Sequence, residues 1–203
     1  MNLIQILGLA VGSAWTSGIN LYATVAVLGL LQRFELVHKL PGGLEALDNW
    51  WVVGVALALY AVEFFADKVP YIDTVWDAVH TFIRVPAGAA LAAAATSDVS
   101  PAVQVVALLL GGGLALSTHG TKATVRAAVN VSPEPVTNWL LSLAEDVIAV
   151  GAVVLAVLHP VVLLFIVGAF LVAFAWLLPR VLRRVRRMAS AARAFFRGRA
   201  VKA

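Results

Sequence analysis

Cysteine is absent from the 203 residues. That excludes disulfides, thiolate catalysis and cysteine-ligated metals. Charge is scarce too: Asp, Glu, Lys and Arg make up 13% of the chain, against about a quarter in soluble domains. There is no P-loop, no H-E-x-x-H, no G-x-S-x-G and no dinucleotide fingerprint, so none of the chemistries those motifs carry is written here. No short apolar leader with an A-x-A cleavage site stands in front, and the first helix is expected to be retained. Positive charge is thin outside one region: nine of the fifteen Lys and Arg lie from Arg180 onward, while the body carries six against eleven Asp and Glu, a net −5. The high isoelectric point therefore belongs to the tail, and nucleic acid is not an expected partner.

What fills the chain is apolar. Hydrophobic residues make up 62% of it and mean hydropathy is +0.93. A domain of this size has too little interior to hide so much apolar surface from water, and apolar stretches of about 18–20 residues match a bilayer. The expected fold is an all-α polytopic membrane protein with about six spans. The lipid bilayer is its first partner. The first helix, Leu3 to Leu31, is interrupted by GSAWTSGIN (Gly12 to Asn20), a break tolerated at membrane depth only where it faces protein or a water-filled cavity. A polar loop with Pro41-Gly42-Gly43 as its turn precedes a second helix at Trp50 to Ala66. A third is expected over Thr74 to Thr96, a fourth over Pro101 to Asn130, a fifth from the SPEP turn (Ser132 to Pro135) to His159, and a sixth over Pro160 to Leu178.

Residues 1–178 thus form a transmembrane helical domain and residues 179–203 a basic tail. Val181, Val185, Met188, Ala192 and Phe195 recur in the tail at helical spacing with arginines opposite, the pattern of an amphipathic helix lying on anionic lipid. Basic residues flanking a last span place it in the cytoplasm, so a bacterial inner membrane with a cytoplasmic C-terminus is expected. A weak internal repeat runs at an offset of 63: Pro70 matches Pro133, Thr74 matches Thr137, Trp76 matches Trp139 and Gly88 matches Gly151. Pro-interrupted segments paired between two halves point to a transporter site as readily as chance does.

The polar residues fall in stripes. Asp73, Asp77, His80 and Arg84 span about 60° of one helix face. Glu63 and Asp67 close the second helix. His119, Lys122, Arg126 and Asn130 form a mostly basic stripe on the fourth. Glu134, Asn138, Ser142 and Glu145 form one on the fifth, with Asp146 beside it. A charge at the bilayer centre costs at least ~2.5–3.5 kcal/mol on insertion scales, so these stripes are expected to face one another and not lipid.

Glu63, Asp73, Asp77, His80, Arg84, His119, Lys122, Arg126, Asn138, Glu145 and Asp146 are the candidate pathway or substrate-binding residues. Asp67, Lys68 and Glu134 are expected to lie solvated at helix ends, as are His38 and His159. Asp77-x-x-His80 has a carboxylate-x-x-His spacing known from helical metal sites. With Asp73 and Glu145 it could hold a divalent cation. The same groups suit proton relay, and Lys122 and Arg126 suit an anionic group.

EFFADKVPYIDTVWDAVHTFIR with the PAGA after it, HGTKATVRAAVNVSPEPVTNWLLSLAED, and the early SGINLYAT resemble the signature segments of a family of small bacterial integral membrane proteins catalogued as a domain of unknown function. The resemblance runs to about Asp146 and leaves out the tail. It implies that these polar segments are the family's signature and brings no activity with it. Three readings stand: a small secondary transporter or lipid translocase moving a small solute or lipid, an intramembrane metal-dependent enzyme acting on lipid head groups, and a structural or assembly protein with buried ion pairs.

Overall fold

The computed structural model describes residues 1–37, 39–69, 71–130 and 135–200, without the side chains of 135, 185, 188, 189 and 191–200. His38, Pro70 and the SPEP turn with Glu134 lie outside the described residues, as do the side chains of most of the tail's apolar face. Among the described residues there are six α-helices and no strand: α1 (Leu3–Arg33), α2 (Trp50–Ala66), α3 (Ile72–Ala95), α4 (Pro101–Asn130), α5 (Pro135–Leu158) and α6 (Pro160–Ala200), with a 3-10 helix at Gly42–Asp48 before α2. The chain divides into two compact units, Met1–Val167 and Gly168–Ala203.

Within the first unit, α1 packs against α2, α3, α4 and α5. It is the most enclosed of the long apolar helices. Its small residues explain why. A Cβ on Gly18 would lie 2.5 Å from the Ala115 carbonyl oxygen, and one on Gly88 would lie 2.5 Å from both Ala115 Cβ and Ser17 Oγ. Side chains this small let three backbones meet where hydrocarbon supplies no hydrophobic drive to helix association. The glycines read as a break in the sequence are therefore contact points in an unbroken stretch of helix.

The real interruption is one residue, Asn20, whose φ of −148° and ψ of 101° are extended. Its side chain accepts the Ala23 N–H at 2.9 Å, as an N-cap does for the second half of α1. Thr24 donates to the Asn20 carbonyl at 2.8 Å, and Lys122 donates to the Ile19 carbonyl at 3.3 Å. Backbone groups freed at depth are thus met by side chains, as a medium without water requires.

Large apolar side chains face outward and charges inward. On α3, Val75, Val79 and Phe82 are exposed while Asp73, Asp77, His80 and Arg84 are buried. On α5, Trp139, Leu140, Leu143 and Val147 are exposed while Asn138, Ser142 and Asp146 are buried. That pattern is stable in lipid and not in water. Among the described residues five helices are long and apolar enough to cross a membrane, and a sixth crossing arises if the Gly42–Asp48 helix and α2, bent by 71°, form one span. The protein is an all-α, multi-pass membrane protein.

The expected helix limits hold within a few residues except in the last helix. α6 does not end at Leu178 but runs on through Pro179 to Ala200. Proline removes one intrahelical donor. The residues after it are mostly Arg, Ala, Leu and Met, good helix formers. Arg180 donates to the Trp176 carbonyl and stacks over the Trp176 ring at 3.5 Å. The offset of 63 relates the C-terminal ends of α3 and α5, Ala95 and Leu158.

Candidate functional site

The polar interior is built from the end of α2, the first half of α3, the second half of α4, the first half of α5 and the middle of α1. From Asp73 to Arg84 it runs about 16 Å along α3, roughly half of a ~30 Å hydrocarbon core. Ten of the eleven sequence-derived candidates are buried, and Glu145 is half-buried.

Arg84 has no solvent exposure and donates to Glu63 Oε1 at 2.6 Å, to Asp77 Oδ1 at 3.2 Å and to His119 Nδ1 at 3.2 Å. Lys122 Nζ lies 2.9 Å from Asp67 Oδ2, 3.6 Å from Glu63 and from Glu145, and 3.8 Å from Asp77. Arg126 pairs with Glu145 at 2.5 Å and with Asp67 at 3.2 Å, donates to the Asp67 carbonyl at 2.7 Å, and stands 3.8 Å from Asp73. Asn130 donates to Asp73 Oδ2 at 3.0 Å.

The result is a lattice of five carboxylates (Glu63, Asp67, Asp73, Asp77, Glu145) around three cations (Arg84, Lys122, Arg126), formally −2. Glu63 Oε2, Asp67 Oδ1, Asp73 Oδ1 and Asp77 Oδ2 make no hydrogen bond among the described residues.

His119 adds no charge to this lattice, because its Nδ1 must accept from Arg84. His80 Nδ1 donates to the Trp76 carbonyl at 2.8 Å, and its Nε2 meets the Tyr22 hydroxyl at 3.0 Å. His119 Nδ1 faces the Arg84 guanidinium and must accept, so Nε2 donates to the Asp77 carbonyl at 3.0 Å and to Thr81 Oγ1 at 2.8 Å. Stacking of Trp76 on His80, with ring centroids 4.1 Å apart, holds that ring in place.

The four residues read as a metal set do not converge on one point. Among the described residues no three His, Asp or Glu side chains are placed to hold a metal ion together. His80 turns to Tyr22, Asp77 to Arg84, Glu145 to Arg126 and Asp73 to Asn130. Cations interleaved between the acids have taken the ligand positions that sequence spacing suggested.

The chain belongs to the DUF4126 family. The family model, described as a domain of unknown function, matches residues 7–180, and so takes in every residue of this lattice. Comparison with curated proteins and with solved structures gives no match.

Two residues expected at the solvated ends belong inside. Asp67 and Lys68 are both buried, because the ends of α4 and α5 close over the α2–α3 turn. Asp67 bridges Lys122 and Arg126. Lys68 Nζ donates to the Phe64 carbonyl at 2.9 Å and to Ser142 Oγ at 3.3 Å, and sits 2.9 Å from the centroid of the Phe64 ring. Burial pulls the Lys68 ammonium below the ordinary lysine range, with Asp146 and Asp67 opposing. His159 is exposed between α5 and α6. Asn20, which donates to Asp146 Oδ1 at 3.0 Å, and Tyr22 were missed in the sequence. Asn within an apolar helix was the available signal for the first, and a lone Tyr gave none for the second.

Proposed function

We propose that the protein is a small secondary transporter whose polar interior couples solute movement to protons or another cation. The lattice of five carboxylates and three cations carries this reading. Enclosed by helices with apolar outer faces, it is short of two positive charges. Uncompensated charge in a low-dielectric interior is costly and draws in protons or cations. Lys122 lies within 3.8 Å of four carboxylates, so a small shift exchanges its partners. Ionisable groups with alternative pairings are what a coupled carrier needs.

Lipid translocation is a second reading. It draws on an open apolar groove of about 560 Å³ among α1, α2 and α3, whose lining includes Tyr22, the partner of His80. In either case we place the protein in a bacterial inner membrane with its basic tail against anionic lipid on the cytoplasmic side.

The test is flux through the full chain in liposomes loaded with a pH-sensitive dye. On imposing a sodium, potassium or proton gradient, wild-type vesicles are expected to move protons faster than protein-free ones. Asp77→Asn and Glu145→Gln are expected to cut that rate at least tenfold. Variants that match wild type in every flux the wild type shows would sink the coupling role of these acids.

A further inference from the structure

Two buried charges stand outside the lattice, and they stand together. Among the described residues Lys68 is the buried cation with no carboxylate oxygen within 4.0 Å, and Asp146 is the buried carboxylate with no cation within 4.0 Å. A strip of α5 joins them. Asn138, Ser142 and Asp146 recur at four-residue spacing on one buried face. Ser142 Oγ meets Lys68 Nζ at 3.3 Å. Asp146 lies one turn further on, about 5–6 Å along the axis, held by Asn20 at one oxygen and with the Tyr60 hydroxyl close by, while Oδ2 has no partner at hydrogen-bond distance among the described residues. Asn138 lies one turn the other way, is 1% exposed, and neither its amide nitrogen nor its amide oxygen has a hydrogen-bond partner among the described residues. Helical side chains lean toward the N-terminus, so Ser142 and Asp146 lean back along the strip toward Asn138.

Unpaired buried charges and a wholly unpartnered buried amide are each expensive. One ligand can answer all of them. We propose that Lys68, Asn138, Ser142 and Asp146 form a binding site for a zwitterion, with its oxyanion on Lys68 and Ser142 and its ammonium on Asp146. A simple anion would add charge to an interior that is already formally negative, and a simple cation would leave Lys68 unanswered. A zwitterion meets both charges and leaves the net charge unchanged. Phe64 and Trp139, whose ring centroids lie 2.9 and 5.7 Å from Lys68 Nζ, wall the oxyanion end. An ammonium and an oxyanion a few bonds apart occur in free amino acids and in the head group of ethanolamine phospholipids, and the site reads that shared chemistry.

This gives the transport reading its ligand class and rests on that reading for the ligand's passage. Binding is measured without flux, so the two can fail separately. The experiment follows thermal unfolding of the full chain in a zwitterion-free, non-ionic detergent. Glycine, β-alanine and phosphoethanolamine are the probes, with acetate and methylamine as single-charge controls. A ligand that binds only the folded state raises its stability as concentration rises.

The expected result is a saturable rise in Tm with at least one zwitterion, at concentrations at least tenfold below any effect of acetate or methylamine. Lys68→Met and Asp146→Asn should each abolish it, while Glu45→Gln, on the 3-10 helix and outside this strip, keeps it. Lys68→Met keeps an unbranched side chain of similar length, and a cooperative unliganded transition in that variant shows that its loss of response is not loss of structure. A response to glycine or β-alanine assigns a free amino acid. A response to phosphoethanolamine alone, with ethanolamine phospholipid retained in native mass spectra of wild type and lost from Lys68→Met, assigns the lipid head group. No response to any zwitterion overturns the site, as does an equal response to acetate or one that survives in Lys68→Met.

Discussion

Arg84 shows what a single residue does in this interior. It is fully buried and pairs with two carboxylates from different helices, Glu63 and Asp77, while fixing the tautomer of His119. Arg84→Met would deepen the lattice's deficit from −2 to −3. Removing one partner of a buried pair costs about 3–5 kcal/mol, and thermal unfolding in detergent is expected to show a loss of that order. Glu63→Met combined with Arg84→Met restores the deficit to −2 and should lose less stability than Arg84→Met alone. Flux separates the meanings. A double variant that is stable but inactive fits a working site, whereas one that recovers both properties fits a structural network.

Elements are held apart or together by small residues. α1, α3 and α4 cross where Gly18, Gly88, Gly111 and Ala115 meet, and a Cβ on Gly111 would lie 2.5 Å from Ala92 Cβ. Gly88→Val drives side-chain atoms into α1 and α4. Overpacking of this kind costs typically about 1–3 kcal/mol, and it should lower Tm and separate the Arg84–His119 pair between α3 and α4. Gly113 faces open space, so Gly113→Ala is expected to hold or raise Tm by the ordinary helix preference of about 0.5–1 kcal/mol. Equal effects at the two positions would mean that the three-helix crossing is looser than drawn. Pro86 within α3 costs a helical hydrogen bond, and α3 nevertheless continues to Ala95 as one element.

For the whole molecule, the number of crossings decides which side each turn faces. The lack of native cysteine makes single-cysteine labelling direct. α3 spans as one helix, so Tyr71→Cys and Asp98→Cys are expected to react with impermeant maleimide from opposite sides. Glu45→Cys then reads the bent pair. Labelling opposite to Tyr71→Cys means that the 3-10 helix and α2 cross together and the chain has six spans. The first outcome is expected, because Gly42 and Gly43 donate to Asp98 and Ser97 at the far end of α3; labelling on the Tyr71 side would mean that they enter and return, leaving five. The inside-out distribution of charge stays the same in both cases, because α3, α4 and α5 carry most of the lattice.

The sequence by itself determined the solvent and the faces. Long apolar runs can be stable only in lipid, and four-residue spacing put Asp73, Asp77, His80 and Arg84 on one face that lipid would reject. That reasoning is local, and helical periodicity is a local property. It reached the limits of α2, the start of α4, and the burial of Glu63, Asp73, Asp77, Arg84, Lys122, Arg126 and Asp146. Partner choice is not local. Asp67 and Lys68 read as helix-end charges because the sequence cannot say that α4 and α5 close over their turn. Asp77 and His80 read as metal ligands because spacing along one helix is silent about Arg84 and Lys122 standing at Asp77 and Tyr22 at His80. Only the tertiary structure decided which charges pair, since the partners lie as far apart in sequence as Asp67 and Arg126 or Glu63 and Lys122.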